Sequence, residues 1–584
     1  MQKFFYEKNS FYLNGEEITI RSGAIHYFRL PKEYWRDRLL KLKECGFNCV
    51  ETYVAWNLHE PEEGEFHFED GLDLGAFIDM AQDMGLLVIV RPGPFICAEW
   101  ESGGFPYWLH RYPNLKIRSC EPTYLEKAKK YLLKVFEIVK PRLIENGGNI
   151  VMLQVENEFG SYGKGEEYLQ TLVAWHKQYL PECVLFTSDG AWKPFLLNGS
   201  IDGILACGNY GSDVDGNMAT LKELFPNQPY CCAEFWCGWF DHWGDIHHMR
   251  DAGEIAACVE SFLKGKYSFN FYMFFGGTNF GFMNGANLIS GAEYPNNGEY
   301  QPTVTSYDYG ALLTEAGDRT PAYYKTRELI EKYVGDVPPL TAKESEKRAY
   351  GKVIFQGYAS LMDNLDTIGK IYYSRQPLSM EACEQAYGYL YYEAEIVEEG
   401  SLVFDVYRDR IIITRDNKKV DTYMRYGDKK AITPVFAKGS KVGILLENMG
   451  RINYGVHMFD SKRIELGIDG AKTGEWKNVS LPMTDLSTLR FTNIPAKLNE
   501  NAGFYKGTFA VDEPCDTFLR LDGFSKGFAM INGFNLGRYW TEAGPTKTLY
   551  VPATILKKGE NQLIVFDSDG ANSLDATFVD QPCL

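Results

Sequence analysis

Residues 149–160 read NIVMLQVENEFG. The stretch at 149–153 is apolar without alternation, the pattern of a strand covered on both faces, as in a parallel sheet flanked by helices. It ends in two glutamates, Glu156 and Glu158, with Asn157 between them. Carboxylates that close a buried strand need a reason, because each must be paired, hydrogen-bonded or chemically active.

Further stretches up to residue 335 repeat this theme: ITIRSGAIHY (18–27), CVETYVAW (49–56), LLVIVRPGP (86–94), VLFTSDG (184–190), GILACGN (203–209), YCCAEFWCG (230–238) and FNFYMFFGG (269–277). Amphipathic segments such as YWRDRLLKLKECG (34–46) and TYLEKAKKYLLKVFEIVKPRL (123–143) lie between several of them. Strands alternating with helices in this way predict a (β/α)8 TIM barrel over residues 1–335. A doubly wound sheet would want a glycine-rich phosphate turn after its first strand, and SGAIHYFRLP (22–31) is not one. After about Pro338, helical periodicity gives way to strands with Gly, Asp and Asn turns. Residues 388–454 and 503–567 share one order: a strand, a strand–turn–strand, then a lysine-glycine turn into an apolar strand. This repeat predicts two related β-sandwich units of jelly-roll type, 336–480 and 481–584. The expected fold class is α/β plus all-β.

The formal net charge of −18 gives no footprint for phosphate backbones or anionic lipid, so neither nucleic acid nor a membrane is an expected partner. No apolar stretch approaches a bilayer span. Residues 1–12 carry no signal-like apolar core, and the 13 cysteines show no framework spacing. These features predict a reduced, cytoplasmic protein. They leave homo-oligomerisation open.

In a parallel barrel the reactive side chains sit at the C-terminal ends of the strands. Here those ends carry Tyr53, Trp56, Asn57, His59 and Glu60; Cys97, Ala98, Glu99, Trp100 and Glu101; Glu156, Asn157 and Glu158; Glu234, Trp236 and Trp239; and Tyr272. Carboxylates, amides and aromatic rings converge while basic residues are scarce. That mixture suits sugars, whose hydroxyls want acceptors and amide donors and whose apolar ring faces want a flat aromatic surface. Glycoside cleavage in addition needs two carboxyls flanking the bond, one protonated and one ionised. Glu158 and Glu234, on the fourth and seventh strands, would face each other across the barrel mouth.

The segments TYVAWNLHEP (52–61), VRPGPFICAEWESGGFPYWL (90–109), QVENEFGSYG (154–163), AEFWCGWFDHWG (233–244), FYMFFGGTNFGFMNG (271–285) and TSYDYGALLTEAG (305–317) together closely resemble the β-galactosidases of glycoside hydrolase family 35. The resemblance continues through LLENMGRINYG (445–455) and INGFNLGRYW (531–540), and is nearest to compact bacterial members. It implies an exo-acting retaining β-galactosidase without metal or other cofactor. Glu158 would be the general acid/base, Glu234 the nucleophile and Asn157 the amide at the 2-hydroxyl. Tyr53, Ala98 through its backbone, Glu99, Tyr272 and Tyr309 would hold the galactose. Trp236 stands where some relatives have tyrosine. Related specificities, an exo-β-glucosaminidase or a β-galactanase, and a non-catalytic sugar-binding protein are the alternatives.

Trp239, Trp243 and Tyr454 are expected to form a narrow aromatic slot beyond the scissile bond, favouring β-1,3-linked galactosides. Asp241, His242, Asp245, His247 and His248 fit no usual zinc spacing, so no metal site is expected. Glu156, one step deeper in its strand, is expected to pair with a basic side chain such as Arg91.

Overall fold

The computed structural model describes residues 3–291, 294–335, 337–425, 431–498 and 500–584. Eight parallel strands close a barrel: β1 (Arg21–Ile25), β2 (Cys49–Tyr53), β3 (Leu87–Arg91), β4 (Ile150–Gln154), β5 (Val184–Gly190), β6 (Leu205–Tyr210), β7 (Cys231–Trp236) and β8 (Ser268–Phe275). Each pairs with its neighbour in sequence, and β8 returns to β1. Every expected strand of the first unit is a barrel strand. Every residue of β2, β4, β6 and β8 is buried, which is why these segments read as mainly apolar without alternation, their few polar side chains such as Glu51 and Asn270 included.

Helices cover the outside, and their ends follow local chemistry. The helix expected at 123–143 runs Pro122–Val139. Glu121 caps it by accepting the backbone N–H groups of Thr123 and Tyr124 at 3.1 and 2.7 Å, with Pro122 preset at the first position. Pro141 lacks an N–H for the ladder, and Lys140–Arg142 tightens into a 3-10 turn. Among the described residues no helix is long and apolar enough to cross a membrane.

The C-terminal half forms two β-units whose large sheets share one strand order. In the middle unit, Tyr389–Glu398 pairs with Lys441–Glu447, which pairs with the hairpin strand Arg410–Arg415 and then Lys418–Met424. In the last unit, Gly503–Val511 pairs with Gly559–Asp567, then Lys526–Ile531, then Phe534–Trp540. The internal repeat is therefore a repeat of topology. Tyr389, Tyr391 and Leu445 from one large sheet pack with Phe504, Phe528 and Phe566 from the other in a common apolar cluster. The expected division at 336–480 does not follow the hydrogen bonds. Strand Ile354–Ser360 pairs with Gly503–Val511, and Gly351–Lys352 pairs with Thr577–Val579, so the chain enters the last unit before building the middle one.

Candidate active site

Past Gln154 the backbone leaves the regular strand. Glu156 and Glu158 both take left-handed conformations, with φ of 61° and 47°, and their carboxyls part company. Glu156 is buried beneath the rim. Its two oxygens accept from Arg118 Nε at 2.9 Å and Nη2 at 2.8 Å, and the Tyr168 hydroxyl reaches it at 3.2 Å. The partner is Arg118, not the expected Arg91. Arg118 lies over the Phe95 and Tyr162 rings at 3.9 and 4.3 Å, in the irregular segment after β3. Arg91, at the end of β3, points into the barrel mouth. It donates to Glu234 at 2.7 Å, Asn157 at 2.8 Å and Gln154 at 2.5 Å, with Glu51 at 3.5 Å.

Glu158 opens onto a pocket of about 270 Å³ that Glu234 also lines. Its carboxyl accepts from the neutral amide of Asn209 at 3.1 Å. Burial, then the nearby negative charge of Glu234, pushes its pKa up to about 8. Glu234 sits among donors instead. Its Oε1 accepts from Arg91 at 2.7 Å and the Tyr53 hydroxyl at 2.8 Å, and its Oε2 from the Trp236 indole N–H at 3.0 Å. Trp236 is thereby tied to the carboxylate.

Most of the expected sugar-holding residues meet here: Tyr53, Ala98, Glu99, Asn157, Tyr272 and Tyr309 all line the pocket. Asn157 Oδ1 accepts from Arg91 at 2.8 Å and Gln154 at 3.1 Å, and lies 2.9 Å from the Tyr53 hydroxyl, whose one proton it shares with Glu234. The Arg91 and Gln154 donors fix which way the amide faces. Its Nδ2 makes a long contact to the Ile96 carbonyl, 3.4 Å. Cys97, Ala98 and Glu99 take φ of 57°, 57° and 47° in succession. A run of left-handed residues without glycine is costly and concentrates at functional sites. The Ala98 carbonyl accepts from Arg29. Glu99, pushed up to about 7 by burial, accepts from Tyr307 at 2.5 Å. Tyr307 also meets the Tyr272 hydroxyl at 3.3 Å. Tyr307 escaped the sequence reading although it lies two residues before Tyr309.

The aromatic slot is assembled differently from expectation. Trp239 and Tyr454 line the pocket, but Trp243 does not. The Trp243 N–H donates to Pro302 at 3.0 Å, Gly244 turns the chain at φ 95°, and the indole faces Trp540 of the last β-unit. The cleft there measures about 20 Å³, too small for a sugar. The missing wall comes from Trp192 and Phe195, just beyond β5. They were legible in principle, because the segment following a barrel strand forms the rim. Tyr454 reaches the pocket from the middle β-unit because its neighbours are clamped. The Arg451 backbone N–H and Nη1 each donate to Glu101 at 2.6 Å, and the Asn453 N–H donates to Ala286 at 2.9 Å.

Asp241, His247 and Asp308 bring ligand atoms within 4.8 Å of one another. Both Asp241 oxygens already accept imidazole N–H groups, from His247 at 2.6 Å and His248 at 2.7 Å. His247, raised by its bond to Asp241, lies 3.5 Å from Asp308. The cluster forms a hydrogen-bonded brace between the segment after β7 and Asp308, next to Tyr309 in the pocket.

Comparison with known proteins follows the same lines. The sequence signature described as glycosyl hydrolases family 35 matches residues 10–333. Those of the first all-beta domain and the galactose-binding domain of beta-galactosidase match 377–482 and 502–561. The chain is 38% identical over 600 residues to beta-galactosidase-1-like protein 3 of Homo sapiens, covering 99% of this chain and 88% of that one. It is 38% identical over 556 residues to a beta-galactosidase of Xanthomonas manihotis, covering 94% and 91%. With a beta-galactosidase of Mus musculus it shares 35% over 634 residues, covering 100% and 95%.

Proposed function

The chain belongs to glycosyl hydrolases family 35 and is a glycoside hydrolase, and on that premise we propose that it is an exo-acting, retaining β-galactosidase that prefers β-1,3 linkages. One observation carries the assignment. Two carboxyls from β4 and β7 share one pocket in opposite surroundings. Glu234 is ringed by a guanidinium, a phenol and an indole N–H. Glu158 has one amide and an elevated pKa, as befits a carboxyl that must hold a proton.

Chemistry follows from these roles. Glu158 gives its proton to the glycosidic oxygen as Glu234 attacks the anomeric carbon, and the aglycone leaves as an alcohol. The galactosyl–Glu234 ester removes a negative charge from beside Glu158, which is now ionised and ready to act as base. Glu158 takes a proton from water, water attacks the anomeric carbon, and Glu234 departs with galactose in its original β configuration. The Asn157 amide, its oxygen held by Arg91 and Gln154, turns its nitrogen to the 2-hydroxyl. Glu99, Tyr272, Tyr309 and the Ala98 backbone take the remaining hydroxyls. A pocket of about 270 Å³ supports exo action, and the Trp239 and Tyr454 rings on its wall support the β-1,3 preference. The 13 cysteines, all free, support a reducing, cytoplasmic setting.

A panel of nitrophenyl glycosides tests the sugar, and NMR of the first-formed anomer tests retention. Comparing β-1,3-, β-1,4- and β-1,6-galactosyl disaccharides tests linkage, and equal turnover of all three would overturn the preference.

A further inference from the structure

A second cavity lies against the catalytic pocket. It measures about 580 Å³ and shares Trp192, Trp236 and Trp239 with it. From those shared tryptophans it runs along Ser212, Asn217 and Glu254. Its inner end meets Asn209, whose Oδ1 accepts from Ser188 at 2.6 Å and whose Nδ2 donates to Glu158 at 3.1 Å. The groove therefore reaches the acid/base side of the pocket, the side from which a protonated leaving group departs.

Two of the shared indoles are conspicuously open to solvent. Trp192 is 58% and Trp239 39% exposed. Trp192 is nonetheless held in place. It packs edge-to-face on Phe195 at 5.6 Å and lies so close over Gly190 that a β-carbon there would come within 2.6 Å of the ring. A braced, solvent-facing indole in a groove also lined by Ser212, Asn217, Glu254 and the Arg250 guanidinium offers the two-sided chemistry of a pyranose: an apolar C–H face for the ring and polar groups for the hydroxyls.

We infer that this groove is a second leaving-group subsite, binding the sugar unit that follows the one at the Trp239–Tyr454 wall, with Trp192 as its stacking platform. The natural substrate would then be a galactose-capped oligosaccharide of at least three units. This inference rests on the galactosidase assignment above and extends it to the length of chain recognised.

The test is a length series at one linkage: a nitrophenyl β-galactoside, a β-1,3-galactosyl disaccharide, and the trisaccharide extended by one sugar at the reducing end. Wild-type kcat/KM is expected to be roughly tenfold higher for the trisaccharide than for the disaccharide, the factor a good aromatic contact supplies. Trp192→Ala should bring that ratio close to one. Ser212→Trp, which fills the groove from an exposed position, should lower the same ratio by occlusion and guards against misfolding of the first variant. A wild-type ratio of one, or a ratio unchanged in both variants, overturns the subsite. Failure to release galactose from any member of the series would instead overturn the galactosidase assignment on which it depends.

Discussion

Raising the pH from 7 to 9 should cost this enzyme about tenfold in kcat/KM for a galactosyl disaccharide. The reason is Glu158, whose carboxyl is pushed up to about 8 by burial and by the charge of Glu234. A group titrating there is roughly nine-tenths protonated at pH 7 and one-tenth at pH 9. A sugar leaving group needs that proton, so the rate follows the protonated fraction. Glu158→Gln should lower the disaccharide rate by about 10²–10⁴-fold. A dinitrophenyl galactoside, whose phenolate departs without protonation, should still form the galactosyl-enzyme and give a burst. Its kcat/KM should stay flat over the alkaline range in the variant. The same carboxyl has a stability signature. Its folded pKa lies above its ordinary value of 4.5, so its contribution to stability is full below that value and is lost as pH rises through about 8. Discounted because the group opens onto the pocket, the loss by pH 7 is on the order of 2 kcal/mol. Glu158→Gln should accordingly gain thermal stability relative to wild type between pH 5 and pH 8. An alkaline limb with the same midpoint persisting in Glu158→Gln would show that another group, such as Glu99, sets the profile, and the acid assignment would fall.

Four other expectations are sharper than the sequence alone allows. Glu234→Gln should reduce turnover by on the order of 10⁴-fold or more while galactose binding stays measurable by calorimetry; near-normal rates would refute its role. Glu156→Gln leaves the Arg118 guanidinium buried without its carboxylate and should destabilise the barrel by about 3–5 kcal/mol in denaturant titrations. Normal stability with loss of glycosylation alone would make Glu156 a chemical residue. Trp239→Ala and Tyr454→Ala should narrow the ratio of β-1,3 to β-1,4 turnover, whereas Trp243→Ala, remote from the pocket, should leave that ratio as in wild type. Gly160→Ala would set a β-carbon 1.9 Å from the Phe195 carbonyl; about 1–3 kcal/mol of overpacking should appear as a lowered melting temperature.

The barrel was legible because its strands are covered on both faces, so each reads as a short apolar stretch whatever its neighbours do. The two carboxyls were legible because a parallel barrel puts strand ends on one rim, and that rule needs no side-chain contacts. The errors share a different cause: each required knowing where an irregular segment goes. Arg91 was the nearest strand-end cation to Glu156 in topology, yet Glu234 and Asn157 engage it, while Arg118 arrives from a segment with no periodicity to read. Trp243 follows Glu234 by nine positions, but the turn at Gly244 carries it to the last β-unit. Trp192 is 42 positions earlier than Glu234 and lines the same pocket. Strand 354–360 finds its partner about 150 residues away, beyond any local pattern.

Those same segments also shape the pocket. Glu158 follows β4 and Glu234 lies on β7, but other walls of the pocket are formed by the segment after β5, the segment after β7, and Tyr454 from another unit. Tyr454 is placed by the buried Arg451–Glu101 pair that joins the middle unit to the barrel. Such a pair is weak ground for stability, since desolvating both charges offsets most of their attraction, but it tolerates few docking geometries. Arg451→Met strands the buried Glu101 and Glu381 carboxylates and should cost about 3–5 kcal/mol of stability, but in the protein that stays folded it should show more in specificity than in chemistry. With the clamp gone, Tyr454 loses its fixed position, KM for the β-1,3 disaccharide rises, and the rate on a nitrophenyl galactoside changes much less. A uniform fall on both substrates would mean that the clamp supports the catalytic carboxyls themselves and not the wall that faces the leaving group.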